Sequence, residues 1–242
     1  MSPEPQAMAE QMLRSVCDVQ GNAMEARENT REKFRRKETN EQNILRIAVD
    51  GLVASLAAKI DQPINVVNEE TSYQIGLSAS FIRTYYLATD ILLNGDIVEA
   101  LVLLRKQVES LARILELEDN PAQKLFKKTP NVKHVLTNGT GRIYSALSEV
   151  AHFSTPNAAE LLGVNQDGDR CGPNLVPQFH ESQFVYMEFS HFTGIRFSQW
   201  LFGKLSYWYP GIDLEMEAHI AAHAISSALI AGVLDTSEEP NT

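Results

Sequence analysis

Apolar residues recur at spacings of three and four through most of the chain, which predicts helices throughout. The clearest run follows Asn94-Gly95-Asp96. Ile97, Leu101, Leu104, Val108, Leu111 and Leu115 form one stripe that reaches about Glu118. Gly95 suits the left-handed position just past a preceding helix over 71–94, and Asp96 with Glu99 three residues on reads as the N-cap of the next. A loop this short makes the two helices an antiparallel pair. Upstream, residues 5–37 are rich in helix formers but sparse in apolar positions, the pattern of an exposed helix or arm. T-N-E-Q at 39–42 resembles a capping box and opens a second helix that stops before Pro63, with Ile44, Ile47, Leu52, Leu56 and Ile60 as its apolar face.

Downstream the punctuation is denser. Asn120-Pro121 opens a short helix, Pro130 and T-N-G-T-G at 137–141 interrupt the chain, and Thr140 caps a helix running to about Phe153. Glycines and prolines over 160–179 flank short apolar runs and predict a small β-hairpin. Two long helices follow, over 181–207 and 212–234, divided by Tyr209-Pro210-Gly211. The expected fold is an all-α bundle of about seven or eight helices. A helical arm covers 1–38, the bundle 39–234, and a disordered tail 235–242.

Composition narrows the class. A chain of 242 residues with 44% hydrophobic residues can bury a full core. The net charge of −10 argues against nucleic-acid binding by overall charge, so a polyanion would need a local basic patch. Two cysteines, Cys17 and Cys171, exclude a disulfide scaffold and predict no disulfide partner. The first residues lack a basic-then-apolar leader, which makes the cytoplasm the expected compartment. Residues 218–234 contain no Asp, Glu, Lys or Arg, but they are too few for a membrane span and read as a buried helix.

One polar stripe breaks the apolar logic. Arg105 and Glu109 fall on the second apolar stripe of the strongest helix, with Val98, Val102 and Ala112, while the polar face is expected at Lys106, Gln107, Ser110 and Arg113. Half-buried charges need partners, and these two are placed to pair with each other. Tyr144, Ser148 and His152, each four apart, line one side of a second helix. If the two helices pack, a guanidinium that can hold an anion meets an imidazole that can carry a proton. The same arrangement also serves as a satisfied polar network that fixes helix register.

Charge adds to the picture. From Asn120 to Ser148 there is no acid, while Lys124, Lys127, Lys128, Lys133 and Arg142 are all basic. The glycine-containing loop before Arg142 places backbone N–H groups at a helix N-terminus, without the G-K-[ST] ending of a P-loop. A second cluster, Arg27 to Lys37, reads as a solvated face.

The segment from about 80 to 200 resembles a group of bacterial helical proteins with an R-x3-E helix, a Y-x3-S-x3-H helix and a short hairpin. Here the motifs are L-L-R-K-Q-V-E at 103–109 and Y-S-A-L-S-E-V-A-H at 144–152. That group is distantly similar to the HEPN superfamily of helical bundles, many of them metal-independent ribonucleases of toxin and phage-defence systems. The resemblance implies an endoribonuclease in a bacterial stress or defence system, with His152 as acid–base group and Arg105 as phosphate clamp. Glu109 and Tyr144 orient them, Ser148 completes the stripe, and the five basic residues contact RNA. The chain departs from the HEPN nuclease motif, an Arg and a His with four to six residues between them: Arg142 and His152 have nine residues between them.

Other constellations are thinner. Glu215, His219 and His223 form an E-x3-H-x3-H line that gives at most two histidine ligands on one helix face, with His180, Glu181 or His191 as the further donors a metal would need. The segment 184–209 holds ten of the nineteen aromatic residues with only Arg196 and Lys204 among them, which fits core packing or a homodimer face better than a nucleic-acid platform. No G-x-S-x-G or other nucleophile motif is present. No cofactor is expected. Besides RNA cleavage or binding, the expectations are a non-catalytic homo-oligomeric interaction protein and, third, a metal-dependent helical hydrolase.

Overall fold

The computed structural model describes residues 5–64, 68–136, 141–152, 154, 160–167 and 170–234. The caps and breaks expected at 137–140, the helix end at Phe153 and the tail from 235 lie outside these. Eight α-helices are present among the described residues, and the fold is an all-α bundle. They are α1 (Pro5–Lys37), α2 (Asn40–Ile60), α3 (Glu69–Asn94), α4 (Ile97–Asp119), α5 (Ala122–Leu125), α6 (Gly141–Ala151), α7 (Ser182–Trp208) and α8 (Glu215–Ile230), with a 3-10 turn at Val132–His134. Val164–Asp167 pairs antiparallel with Arg170–Pro173 along the backbone. Two strands of four residues make no layer of the molecule, so the hairpin expected over 160–179 is not an architectural element of this fold.

The strongest local signals act as their chemistry dictates. The Thr39 hydroxyl accepts from the Gln42 N–H at 3.2 Å while the Gln42 side chain accepts from the Thr39 N–H at 3.0 Å, a reciprocal box that starts α2. Gly95 adopts φ +85°, and a side chain there would meet the Gln178 carbonyl and the Thr30 methyl at 2.7 Å. The turn it makes lays α3 and α4 against one another, the most extensive helix pairing in the bundle. Asp96, however, makes no side-chain cap. Its carboxylate is taken by Arg27 of α1, with Nε donating at 2.8 Å and Nη2 at 3.2 Å.

That pair is part of a wider departure. Arg31 donates to the Asn94 side chain at 3.0 Å and also pairs with Asp90, and Lys37 pairs with Glu181. Lys33, Arg35, Arg36 and Lys37 stay exposed, as a solvated face would, whereas Arg27 and Arg31 are half-buried and bound to the bundle. They fasten the C-terminal part of α1 to the bundle, where Thr30 and Phe34 are buried, while α1 from residue 6 to 22 stays exposed.

Helix α4 runs through the centre, against α3, α6 and α7. Being wrapped on most sides, it buries Gln107, Ser110 and Arg113 as well as its leucines, so only Lys106 of the expected polar face meets water. Two of these buried groups have partners on the backbone. Gln107 Nε2 donates to the Thr84 carbonyl at 3.3 Å, and Arg113 Nη1 donates to the Leu125 carbonyl at 2.9 Å. In α2 the buried face is Leu45, Ala48, Val49, Leu52, Val53 and Leu56, with Ile44 and Ile47 exposed. The face is turned by about one residue because α2 must meet both α7 and α8. Helix α7 carries Phe189, Phe192, Phe197 and Trp208 into the core, where Phe197 stacks on Phe81 at 4.1 Å. Its aromatic density is core packing. Gly194 permits this approach, since a Cβ there would lie 2.8 Å from the Tyr85 ring. Helix α8 is a surface helix that buries only Glu217, Ala224, Ser227 and Ala228, so the charge-free stretch does not make a buried helix. Among the described residues no helix is long and apolar enough to cross a membrane.

Candidate functional site

Helix α6 packs on α4 in the antiparallel sense, because Tyr144 near its start reaches Glu109 and His152 just past its end reaches Arg105. The spacing of four in both helices makes the two stripes face each other. Arg105 Nε donates to Glu109 Oε1 at 2.8 Å, and the Tyr144 hydroxyl donates to the same oxygen at 3.1 Å. Arg105 Nη1 lies 2.8 Å from His152 Nε2. A guanidinium keeps its protons, so Nε2 is the acceptor, and in the neutral ring Nδ1 carries the hydrogen. The Arg105 and Glu109 side chains are half-buried, at 23% and 29% exposure, while His152 is exposed.

The electrostatics follow from this geometry. The bond to Glu109 raises the Arg105 pKa further above its already high value, which keeps the guanidinium charged. Burial, then the Glu109 charge, raises the Tyr144 pKa, which keeps its hydroxyl a donor. Ser148 lies on the same side of α6, half-buried, but its hydroxyl makes no hydrogen bond among the described residues. The structure therefore brings together Arg105, Glu109, Tyr144 and His152 and leaves Ser148 beside them.

The basic segment lies toward the other end of this helix pair. Arg113 holds the carbonyls of Leu125 and Lys128, and the Asn131 N–H donates to Glu116 at 2.8 Å, so the loop is fixed on the C-terminal half of α4. The antiparallel α6 starts at that same half. Lys124, Lys127, Lys128, Lys133 and Arg142 are all exposed, and Lys127 adopts φ 61° in the turn. Arg105 and Arg113, eight residues apart, are separated by roughly 12 Å along the helix axis.

The metal candidates do not converge. Glu215, His219 and His223 stand exposed on α8, and among the described residues no group of three or more His, Cys, Asp or Glu is arranged to hold a metal ion. His180 is bonded to Ser182 at 2.7 Å, Glu181 to Lys37, and His191 is buried in α7.

A second polar cluster escaped the reading of the sequence. At the α1–α2 junction, Arg46 Nε and Nη2 grip the two Glu38 oxygens, each at 2.8 Å, with Glu38 only 4% exposed. One turn on, Asp50 accepts from the buried Tyr85 hydroxyl at 2.8 Å. Burial raises the Asp50 and Tyr85 pKa values. His191 of α7 borders a cavity of about 10 Å³ beside Glu38, and neither ring nitrogen has a hydrogen-bond partner among the described residues. Burial, and then the Arg46 charge, holds its pKa down to about 3. Arg46 and Asp50 stand four apart beside the apolar stripe of α2, the signature that marks Arg105 and Glu109 in α4.

Compared with known protein families, with curated proteins and with solved structures, the chain matches none.

Proposed function

We propose that the Arg105–Glu109–Tyr144–His152 cluster is an RNA-phosphate site, and that the protein is a metal-independent RNA-cleaving or RNA-binding helical bundle. The observation that carries this reading is the contact between a charged guanidinium and an exposed imidazole at 2.8 Å. Arg105 uses Nε on Glu109 and one Nη1 hydrogen on His152, which leaves donors over for an anion. Glu109 and Tyr144 hold the guanidinium plane, and the exposed basic residues of 124–142 supply contacts to neighbouring phosphates. In cleavage, the RNA 2′-oxygen bonds to phosphorus as the bond to the 5′-oxygen breaks. His152 Nε2 takes the 2′-hydroxyl proton once Arg105 turns to the phosphate, and water protonates the departing oxygen. The product is a 2′,3′-cyclic phosphate, and no metal takes part.

The test is cleavage of end-labelled RNA in chelator by wild type and by His152→Ala. Cutting by folded wild type alone, with cyclic-phosphate ends, is expected. Cutting that stops in chelator, or that His152→Ala retains, overturns the mechanism. A second reading has its own support: Glu109 is satisfied from both helices at once, as in a network that only specifies α4–α6 packing. On that reading the protein is a non-catalytic interaction protein, neither protein cuts or binds RNA, and His152→Ala has no activity to remove.

A further inference from the structure

Helix α1 has an apolar seam with no partner over half its length. Ala9, Met12, Val16, Val19, Ala23, Ala26 and Thr30 follow spacings of three and four without interruption, the repeat of a two-stranded coil. From Ala23 onward this seam turns into the bundle, and Thr30 and Phe34 are fully covered. Before it, Met12, Val16 and Val19 are 64%, 52% and 62% exposed, and Met8 and Leu13 beside them are 51% and 65% exposed. An isolated helix of this length is marginal in water, and Gly21 weakens it further.

Charge says what covers the seam. The positions flanking it are Met8, Leu13, Ser15, Gln20 and Asn22, none charged, while Glu10, Arg14, Asp18 and Glu25 all fall on the outer side of the helix. A surface bordered this way suits another apolar helix with neutral flanks, and a second copy of α1 is such a helix. The body settles the direction. It lies on the seam side of α1 from Thr30 onward, so in a parallel pair each body would occupy the path of the partner helix. An antiparallel pair sends the two bodies to opposite ends. It also closes on itself: centred on residue 14, Ala9 faces the partner's Val19 and Met12 faces the partner's Val16.

We propose that the exposed half of α1 is a homodimerisation arm, and that two copies pair it antiparallel about residue 14. The proposal is independent of the RNA reading. Sedimentation equilibrium of the full chain gives a reversible dimer of twice 27.0 kDa, and Met12→Glu with Val16→Glu gives a monomer whose bundle unfolds at the same denaturant concentration. Direction is read from spin labels at Arg14→Cys or Gly21→Cys, in a chain with Cys17 and Cys171 replaced by serine. A side chain at Gly21 meets nothing within 4 Å. Antiparallel pairing separates the labels at 21 by roughly 21 Å along the axis and leaves those at 14 level. A wild type that stays monomeric at about 100 μM, a dimer that survives both glutamates, or equal distances at the two positions overturns the proposal.

Discussion

The bundle holds two arginine–carboxylate clusters of the same local design and opposite environment. In α2, Arg46 grips Glu38 beside Asp50, Tyr85 and His191, with the Glu38 side chain, the Tyr85 ring and the His191 ring buried. In α4, Arg105 grips Glu109 beside Tyr144 and His152 at the bundle edge. Both place an arginine four residues before an acid on a half-apolar face, both recruit a tyrosine hydroxyl from a neighbouring helix, and both have a histidine nearby. Cover separates them. The inner histidine is buried and has no hydrogen-bond partner among the described residues, while the outer one is exposed and bonded to its arginine. Chemistry with a ligand needs the second arrangement, whereas the first can act only on stability.

The largest effect that sharpens this contrast comes from removing the inner arginine. Arg46→Ala leaves the Glu38 carboxylate, 4% exposed, without either of its two donors. Stripping one member from a buried pair costs about 3–5 kcal/mol. Arg105→Ala strips a pair whose members are 23% and 29% exposed, where water replaces the lost partner and the expected cost is about 1 kcal/mol. Denaturant unfolding of the two variants measures the difference, and equal losses would break the distinction between the clusters.

The sequence reads unevenly between these regions for a physical reason. The facing of Arg105 and Glu109 with Tyr144 and His152 follows from spacing in two amphipathic helices that need only pack on each other. Thr39 with Gln42 and the left-handed Gly95 are equally local, and both act as their residue types require. The inner cluster joins residues from 38 to 191, and only tertiary packing brings them together. Its signal, Arg46 and Asp50 four apart, hides in an apolar face that the eye sets one residue off, at Ile44 and Ile47. Likewise Gln107 and Arg113 look solvated until α4 is seen to be enclosed on most sides. Asp96 looks like a cap until Arg27, sixty-nine residues away, takes its carboxylate.

The inner histidine makes the contrast dependent on pH. With its folded pKa near 3, against an ordinary value of about 6.5, His191 stays neutral in the fold while the unfolded chain takes up a proton. Below pH 6.5 the unfolded state therefore binds more protons, and stability falls as pH falls, by about 1.4 kcal/mol per unit from this group until pH approaches 3. Its contribution is fully present above pH 6.5. Burial would raise the folded pKa of Glu217, but the Ser55 hydrogen bond and the Lys59 charge lower it on balance, so its contribution is lost only as pH falls below the ordinary carboxylate range. Burial raises the Asp50 pKa, so that group works the other way above its ordinary value. Between pH 6.5 and 5 His191 makes stability fall as pH falls. His191→Phe, read by urea unfolding at those two pH values, is expected to flatten that slope, and a slope left intact would remove His191 as its source.

The smallest effect decides between the two readings of the outer cluster. Tyr144→Phe removes one hydrogen bond to Glu109, which keeps its bond from Arg105, so a loss near 1 kcal/mol or less is expected. His152 is exposed and contributes one contact, and its replacement by alanine should change stability by less than about 0.5 kcal/mol. An effect that small, for a group that sits on a charged guanidinium, would argue against a packing role. If His152→Ala instead costs more than about 1 kcal/mol, and Tyr144→Phe in the same chain adds less than its separate effect, the four residues act as one structural unit. The outer cluster would then belong with the inner one, as a device that fixes how the helices meet.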